Sequence, residues 1–180
     1  MKSLYIALLR GINVGGKNTL SMSALKAVFE KADFTDVQTY INSGNIIFSS
    51  QKEDAFELQK ICKKLIKKNF QLDIPVMVIS AEEYTASVKK APRWWGKDNE
   101  SRHDCFFVIP PASAADIFAQ VGKANEYEKI SFSGQMIFWS APRKTFTKTR
   151  WSKIISLPAY SCVTIRNVNT VRREIGRAHV

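Results

Sequence analysis

The phrase Gly11-Ile-Asn-Val-Gly-Gly16-Lys17-Asn18 comes within one residue of a phosphate-binding loop. A Walker A loop reads G-x-x-x-x-G-K-[ST]: its glycines let backbone N–H groups approach phosphate oxygens, its lysine reaches the terminal phosphates, and its hydroxyl holds Mg²⁺. Here both glycines and the lysine are correctly spaced, and Asn18 replaces the hydroxyl. Nucleotide hydrolysis also wants an apolar strand ending in a Walker B-type Asp, which the chain lacks. Ser21 further places the helix start several residues late. Three glycines still permit positive φ, so N–H groups from Val14 to Lys17 could form an anion nest, with Arg10 and Lys17 adding charge at its ends. Arg10, Asn13, Gly15, Gly16 and Lys17 are therefore candidate ligand-binding residues. The competing reading is a turn shaped by glycine.

Other segments carry chemistry less directly. Asn42-Ser43-Gly44-Asn45 could present Asn42, Ser43 and Asn45 to a ligand, although its composition is also that of a hairpin turn. Arg166-Asn-Val-Asn-Thr170 offers Arg166, Asn167, Asn169 and Thr170 as donors for phosphate or amide contacts. Asn167 or Asn169 could equally cap a last helix. Trp94-Trp95 beside Arg93 could stack on bases or sugars, or bury an indole. His103-Asp104-Cys105 holds nucleophile and base types, but neighbours on a strand point to opposite faces. Cys62, Cys105 and Cys162 are too scattered for a metal site and too few for a disulfide framework, so no metal and no cofactor are expected.

Charge narrows the partner. The 180 residues carry a formal net charge of +11, with 45% hydrophobic and 24% charged residues. From residue 141 onward nine Lys or Arg stand against Glu174 alone. A basic region of this kind suits an anionic partner. The lysines of 60–68 read more simply as a solvated face matched to a helix dipole. No apolar run approaches the roughly 20 residues needed to span a bilayer, so no membrane partner is expected. Leu4–Leu9 is cut by Arg10 with no cleavage site after it, which points to the cytoplasm.

The elements that must position these residues follow from periodicity. Ser3–Arg10 reads as a strand. Ser21 caps a helix running to about Ala32, with Leu25, Val28 and Phe29 on one face. Val37–Ile41 and Ile46–Ser49 flank the Asn42–Asn45 turn. Residues 53–68 form an amphipathic helix with Phe56, Leu58, Ile61, Leu65 and Ile66 inward, and Ile74–Ile79 is a strand. This is the β-α-β-β-α-β order of a ferredoxin-like unit.

The second half repeats it. Asp104–Ile109 reads as a strand, Ala112–Val121 as a helix, Tyr127–Phe132 and Gln135–Ser140 as a hairpin, and residues near 150–156 as a helix. YINSGNIIFSS at 40–50 aligns with ISFSGQMIFWS at 130–140 at an offset of 90, equating Ser43 with Ser133, Gly44 with Gly134, Ile47 with Ile137 and Phe48 with Phe138. The first strands are offset by nearer 100, which makes Gly11–Leu20 an insertion. The expected fold is therefore α+β, two ferredoxin-like halves in tandem from an internal duplication. The first half spans 1–90 with the Gly-rich insertion, 91–103 is a connector, and 104–173 is the second half with its basic segment. Residues 174–180 resemble translated vector sequence and are set aside.

Three separated motifs, Ala7-Leu-Leu-Arg-Gly-Ile-Asn-Val-Gly-Gly16-Lys17, Thr39-Tyr-Ile-Asn-Ser-Gly-Asn45 and Thr164-Ile-Arg-Asn-Val-Asn-Thr170, resemble the bacterial domain-of-unknown-function family 1697 in residues and order. The likeness runs over nearly the whole chain to the set-aside tail. That family's last motif commonly reads R-N-W-N-T, so Val168 departs from it. The resemblance implies a compact two-part α+β fold and motifs gathered about one site. The functional expectation is a basic protein binding an anionic ligand through Gly11–Asn18 and the C-terminal motif, with nucleic acid ranked first. An enzyme acting on a small phosphorylated molecule in a cleft between the halves is the alternative, and a protein-interaction module using an open sheet face is the third reading.

Overall fold

The computed structural model describes residues 2–52 and 54–178. The expected helix start at Glu53 and the tail residue His179 lie outside them. Contacts divide the chain into two compact units, Met1–Thr85 with Glu174–Val180, and Ala86–Arg173.

The first unit runs β1 (Ser3–Leu9), α1 (Met22–Glu30), β2 (Thr35–Tyr40), β3 (Asn45–Ser50), α2 (Ala55–Phe70) and β4 (Val76–Ser80). Its sheet is antiparallel throughout, in the order β2-β3-β1-β4. Ser21 caps α1 as expected, its hydroxyl accepting from the Ala24 N–H. Leu25 and Phe29 are fully buried one turn apart. They meet Phe34 and Phe48, with Phe34 and Phe48 ring centroids 4.6 Å apart. Each such side chain contributes roughly 1.5–3 kcal/mol by leaving water. Asp54 caps α2 through Phe56 and Glu57 N–H, and Leu58, Cys62 and Ile66 form its buried stripe. Phe56, expected inward, is 41% exposed. It sits in the first turn, off the 58–62–66 stripe, with the Lys60 ammonium 4.3 Å from its ring centroid.

A further helix, α3 (Ala81–Lys89), was not foreseen. Its signal is present in the sequence: Ser80-Ala-Glu-Glu83 has capping-box spacing, and the Ser80 hydroxyl accepts from the Glu83 N–H.

The second unit contains β5 (Ser101–Val108), α4 (Ala114–Val121), β6 (Lys129–Ser133), β7 (Met136–Pro142) and β8 (Val163–Asn167), followed by α5 (Val168–Ala178). Its antiparallel sheet has the order β6-β7-β5-β8. Ser113 and Asp116 form a full capping box at α4, and the Ser113 hydrogen bonds hold Asp116 below the ordinary carboxylate value.

The helix expected near 150–156 is instead a set of three 3₁₀ helices, Arg143–Lys148, Trp151–Ser156 and Pro158–Cys162. The cause is local. Thr149, Ser156 and Ser161 each donate a side-chain hydroxyl to the carbonyl three residues back, at 2.7–2.8 Å. Such bonds compete with the α-helical ladder and favour the tighter turn. The segment is fixed by Glu128, which is 7% exposed and accepts from Trp139 Nε1, Arg150 N and Trp151 N.

The hairpins differ in phase. In the first, Ile46 and Phe48 join the core beneath the helices; in the second, Ile137 and Trp139 do so. Phe138, equated with Phe48 by the offset of 90, lies on the opposite face against Trp95. A shift of one residue exchanges the faces of a strand. The turns also differ in length, Tyr40 pairing with Asn45 across four residues and Ser133 with Met136 across two, an even difference that does not itself exchange faces.

Candidate functional site

In the first unit the glycine loop folds back on itself. Val14 and Lys17 form an isolated bridge around Gly15 and Gly16, whose φ values of 58° and 73° suit a two-residue hairpin turn of type I′. The Lys17 N–H donates to the Val14 carbonyl and the Asn13 N–H to that of Asn18, at 3.1 and 3.2 Å. The expected nest thus loses the Lys17 donor. Asn13 sends Nδ2 to the carbonyls of Leu20 and Asn42 at 2.9 and 2.8 Å, and accepts from the Leu20 N–H. Asn18, at the Walker hydroxyl position, donates to the Gly11 carbonyl. Lys17 is exposed, and Arg10 is half-buried with its backbone N–H on Pro75.

The 42–45 turn is tied to the loop by Asn13. Asn45 is 1% exposed and directs Nδ2 to the Tyr40 carbonyl and the Ser43 hydroxyl. Gly44 has φ 80°, and a Cβ there would meet Leu9 Cβ at 2.7 Å and Ile12 Cδ1 at 2.8 Å. Only glycine fits. Ile41 is 46% exposed at φ 49°, an unfavourable backbone for a β-branched residue. The first two sequence motifs therefore meet, mostly through bonds that hold the turns together.

The second unit holds a different arrangement. A polar hollow of about 420 Å³ is lined by Arg102, Arg143, Arg172, Asp104, Asn167 and Asn169, among others. Arg102 comes from β5, Arg143 from the start of the first 3₁₀ helix, and Arg172 from α5. Asn167 ends β8 and caps α5, its Oδ1 accepting from the Thr170 N–H at 3.0 Å. Each guanidinium is anchored. Arg102 Nε donates to Asp104 at 2.6 Å, Arg143 Nε to the Asn99 carbonyl at 3.4 Å, and Arg172 Nη2 to the Trp95 and Gly96 carbonyls. Gly96 makes room for the last, since a Cβ there would stand 2.5 Å from Arg172 Nη2.

Burial, opposed by Arg102, His103 and Arg143, leaves the Asp104 carboxyl above its ordinary value. Hydrogen bonds from Ser101 hold Asp98, at the rim, below its own. Arg166 is 7% exposed and bonded to Thr164 Oγ1 and the Ile165 carbonyl, and Thr170 is buried as well. Of the C-terminal candidates, Asn167 and Asn169 reach the hollow, and Arg166 and Thr170 are not among its lining. Trp95 is buried with its indole N–H on the Asp104 carbonyl. Among the described residues, no group of three His, Cys, Asp or Glu gathers to hold a metal ion, and no helix is long and apolar enough to cross a membrane.

A family model described as protein of unknown function (DUF1697) matches residues 1–138. The chain belongs to that family. The DUF1697 match stops short of the Thr164–Thr170 motif. A solved structure, that of the conserved bacterial protein SP0830 from Streptococcus pneumoniae, is 30% identical with a TM-score of 0.87 and covers 99% of each chain. No curated protein matches. For this DUF1697 protein, sequence reasoning missed Arg102, Arg143 and Arg172 as a group. They lie in three elements far apart in the chain, and the C-terminal excess of basic residues pointed to Arg143 and Arg172 but not to Arg102.

Proposed function

We propose that this protein binds a phosphate-bearing ligand in the hollow of its second unit. One observation carries the reading: three arginines, each anchored to a protein acceptor on one side, surround one polar concavity. Anchoring reduces the rotamer entropy lost on binding, and the guanidinium fork suits phosphate oxygens. The α5 N-terminus at Val168 and Asn169 adds a favourable dipole. The basic C-terminal region and the charge of +11 favour nucleic acid as the source of that phosphate. A volume near 420 Å³ also suits a small phosphorylated molecule, which supports the enzymatic alternative. The glycine loop is, on this reading, structural.

We also read both units as ferredoxin-like and as products of a duplication. Support comes from the identical permutation of the strand orders, β2-β3-β1-β4 and β6-β7-β5-β8, rather than from the hairpin phrases, which are out of phase. The free cysteines, of which Cys62 and Cys105 are buried, accord with a cytoplasmic protein.

Fluorescence anisotropy with mixed-sequence oligonucleotides, beside calorimetry with a nucleoside 5′-monophosphate, separates the two sources. Binding to single strands should weaken by about 0.7 log unit per log unit of salt for each phosphate contacted, and Arg143→Ala should weaken either ligand. Affinity no better than that of an unrelated protein of equal net charge would refute phosphate recognition.

A further inference from the structure

A second hollow of the same unit, about 270 Å³, is lined by Trp94, His103, Tyr127, Lys129, Ser140 and Pro142, among others. Ser140 on β7 is the register partner of both His103 on β5 and Lys129 on β6. Directly opposed residues of antiparallel strands share a face, with Cβ atoms about 5 Å apart. The three side chains therefore form a row across the sheet. Ser140 and His103 are each 6% exposed, and Lys129 is exposed.

The hydrogen bonds assign the roles. His103 Nε2 lies 2.9 Å from the backbone carbonyl of Asp98, which can only accept, so Nε2 carries the hydrogen. In the neutral ring Nδ1 is then bare, and it lies 2.5 Å from Ser140 Oγ. The hydroxyl donates to it. Asp98 Oδ2, 3.6 Å from Nε2, adds a negative charge on the side where an imidazolium would form. A hydroxyl bonded to an oriented base, with that base's far nitrogen held by a third group, is the arrangement of an activated nucleophile.

We infer that Ser140 is a nucleophile with His103 as its general base, acting on a small carboxylic ester. In the step, Ser140 Oγ bonds to the carbonyl carbon and its proton passes to His103 Nδ1. The ester C–O bond then breaks, and the leaving alkoxide takes that proton. Water repeats the sequence on the acyl-serine, giving up its proton through His103, and the carboxylic acid departs with the Ser140 hydroxyl restored. Lys129, the register partner of Ser140 and part of the same lining, brings the positive charge that would offset the developing oxyanion. Trp94, Tyr127 and Pro142 supply apolar wall for a short acyl group. The inference does not rest on phosphate binding, although Asp98, Ser101 and His103 line both hollows.

The test uses the whole chain with an uncharged alkyl fluorophosphonate as probe, read by intact mass and peptide mapping. Ser140 Oγ bonds to phosphorus, the P–F bond breaks, fluoride leaves, and the serine proton departs through His103. One adduct per chain is expected on Ser140, with none on Ser140→Ala. His103→Asn can still accept the serine hydrogen bond but is not a base, so labelling should slow by about 100-fold or more. A purely structural hydrogen bond would not produce that difference. The wild-type map needs no variant, so misfolding of a variant leaves it decisive. No adduct on wild-type Ser140, or an equal rate in a folded His103→Asn protein, overturns the inference.

Discussion

In the first unit the side-chain amides of Asn13, Asn18 and Asn45 all end on protein acceptors. In the second unit three guanidinium groups use one side on the protein and line a hollow with the rest. The first region has the spacing of a phosphate loop, whereas the second has no recognisable spacing at all. Glycine and asparagine are the residues that tolerate positive φ, and Gly11, Asn13, Gly15, Gly16 and Asn18 all adopt it. A loop rich in both is therefore ambiguous between ligand binding and turn formation. Only the destination of its polar groups decides.

The largest effect that would break this contrast belongs to the turns. Gly44→Val should destabilise the protein by about 3 kcal/mol or more in urea unfolding, since the added carbons meet Leu9 and Ile12 at unfavourable φ. Gly15→Ala, with no atom within 4 Å of its Cβ, should lose only about 1 kcal/mol from φ strain. Equal losses would mean that Gly44 is not packed as described.

Next comes Asn13→Ala, expected to lower stability by about 2 kcal/mol while leaving phosphate affinity unchanged. A loss of affinity without a loss of stability would restore the loop as a binding site. In the second unit the outcome should be the mirror image. Arg143→Ala should weaken phosphate binding about ten-fold, in line with one charge-assisted hydrogen bond, with the melting temperature held. Lys17→Ala should change affinity less than about two-fold, as for one exposed charge.

The smallest effect is one of pH. Burial raises the Asp104 carboxyl in the folded state above its unfolded value. Its contribution to stability is therefore fully present below the unfolded pKa and is lost as pH rises through the folded one. Asp104→Asn removes that dependence and keeps an oxygen for Arg102. The wild type should lose stability relative to the variant as pH climbs from the ordinary carboxylate range. A wild type that gained on the variant would mean that the Arg102 pairing outweighs burial.

Much of the first unit was legible because its signals are local: the Ser21 cap, the Leu25–Phe29 face and the turn at 42–45. The second was harder to read where side chains compete with the backbone. Serine and threonine hydroxyls between 143 and 162 turn an expected helix into 3₁₀ segments, and nothing in a 3.6-residue period reveals this. Phe56 was misplaced because apolar character in a first turn does not fix which way the residue faces. The hollow was illegible for another reason. Arg102, Arg143 and Arg172 meet only once β5, the 3₁₀ segment and α5 are placed, and the anchors of the latter two are backbone carbonyls, which no composition records. Asn167 and Asn169 were flagged in sequence, and Asn167 proved to be both a helix cap and part of the lining.

The most direct test is a titration of the ¹⁵N-labelled protein with inorganic phosphate, following arginine side-chain and backbone N–H signals by NMR. Saturable shifts, with one dissociation constant, are expected at Arg102, Arg143, Arg172 and the Asn169 amide, while Gly15 and Gly16 stay still. Saturable shifts at Gly15, Gly16 and Lys17 with silent arginines would contradict it, and the glycine loop would then be the site.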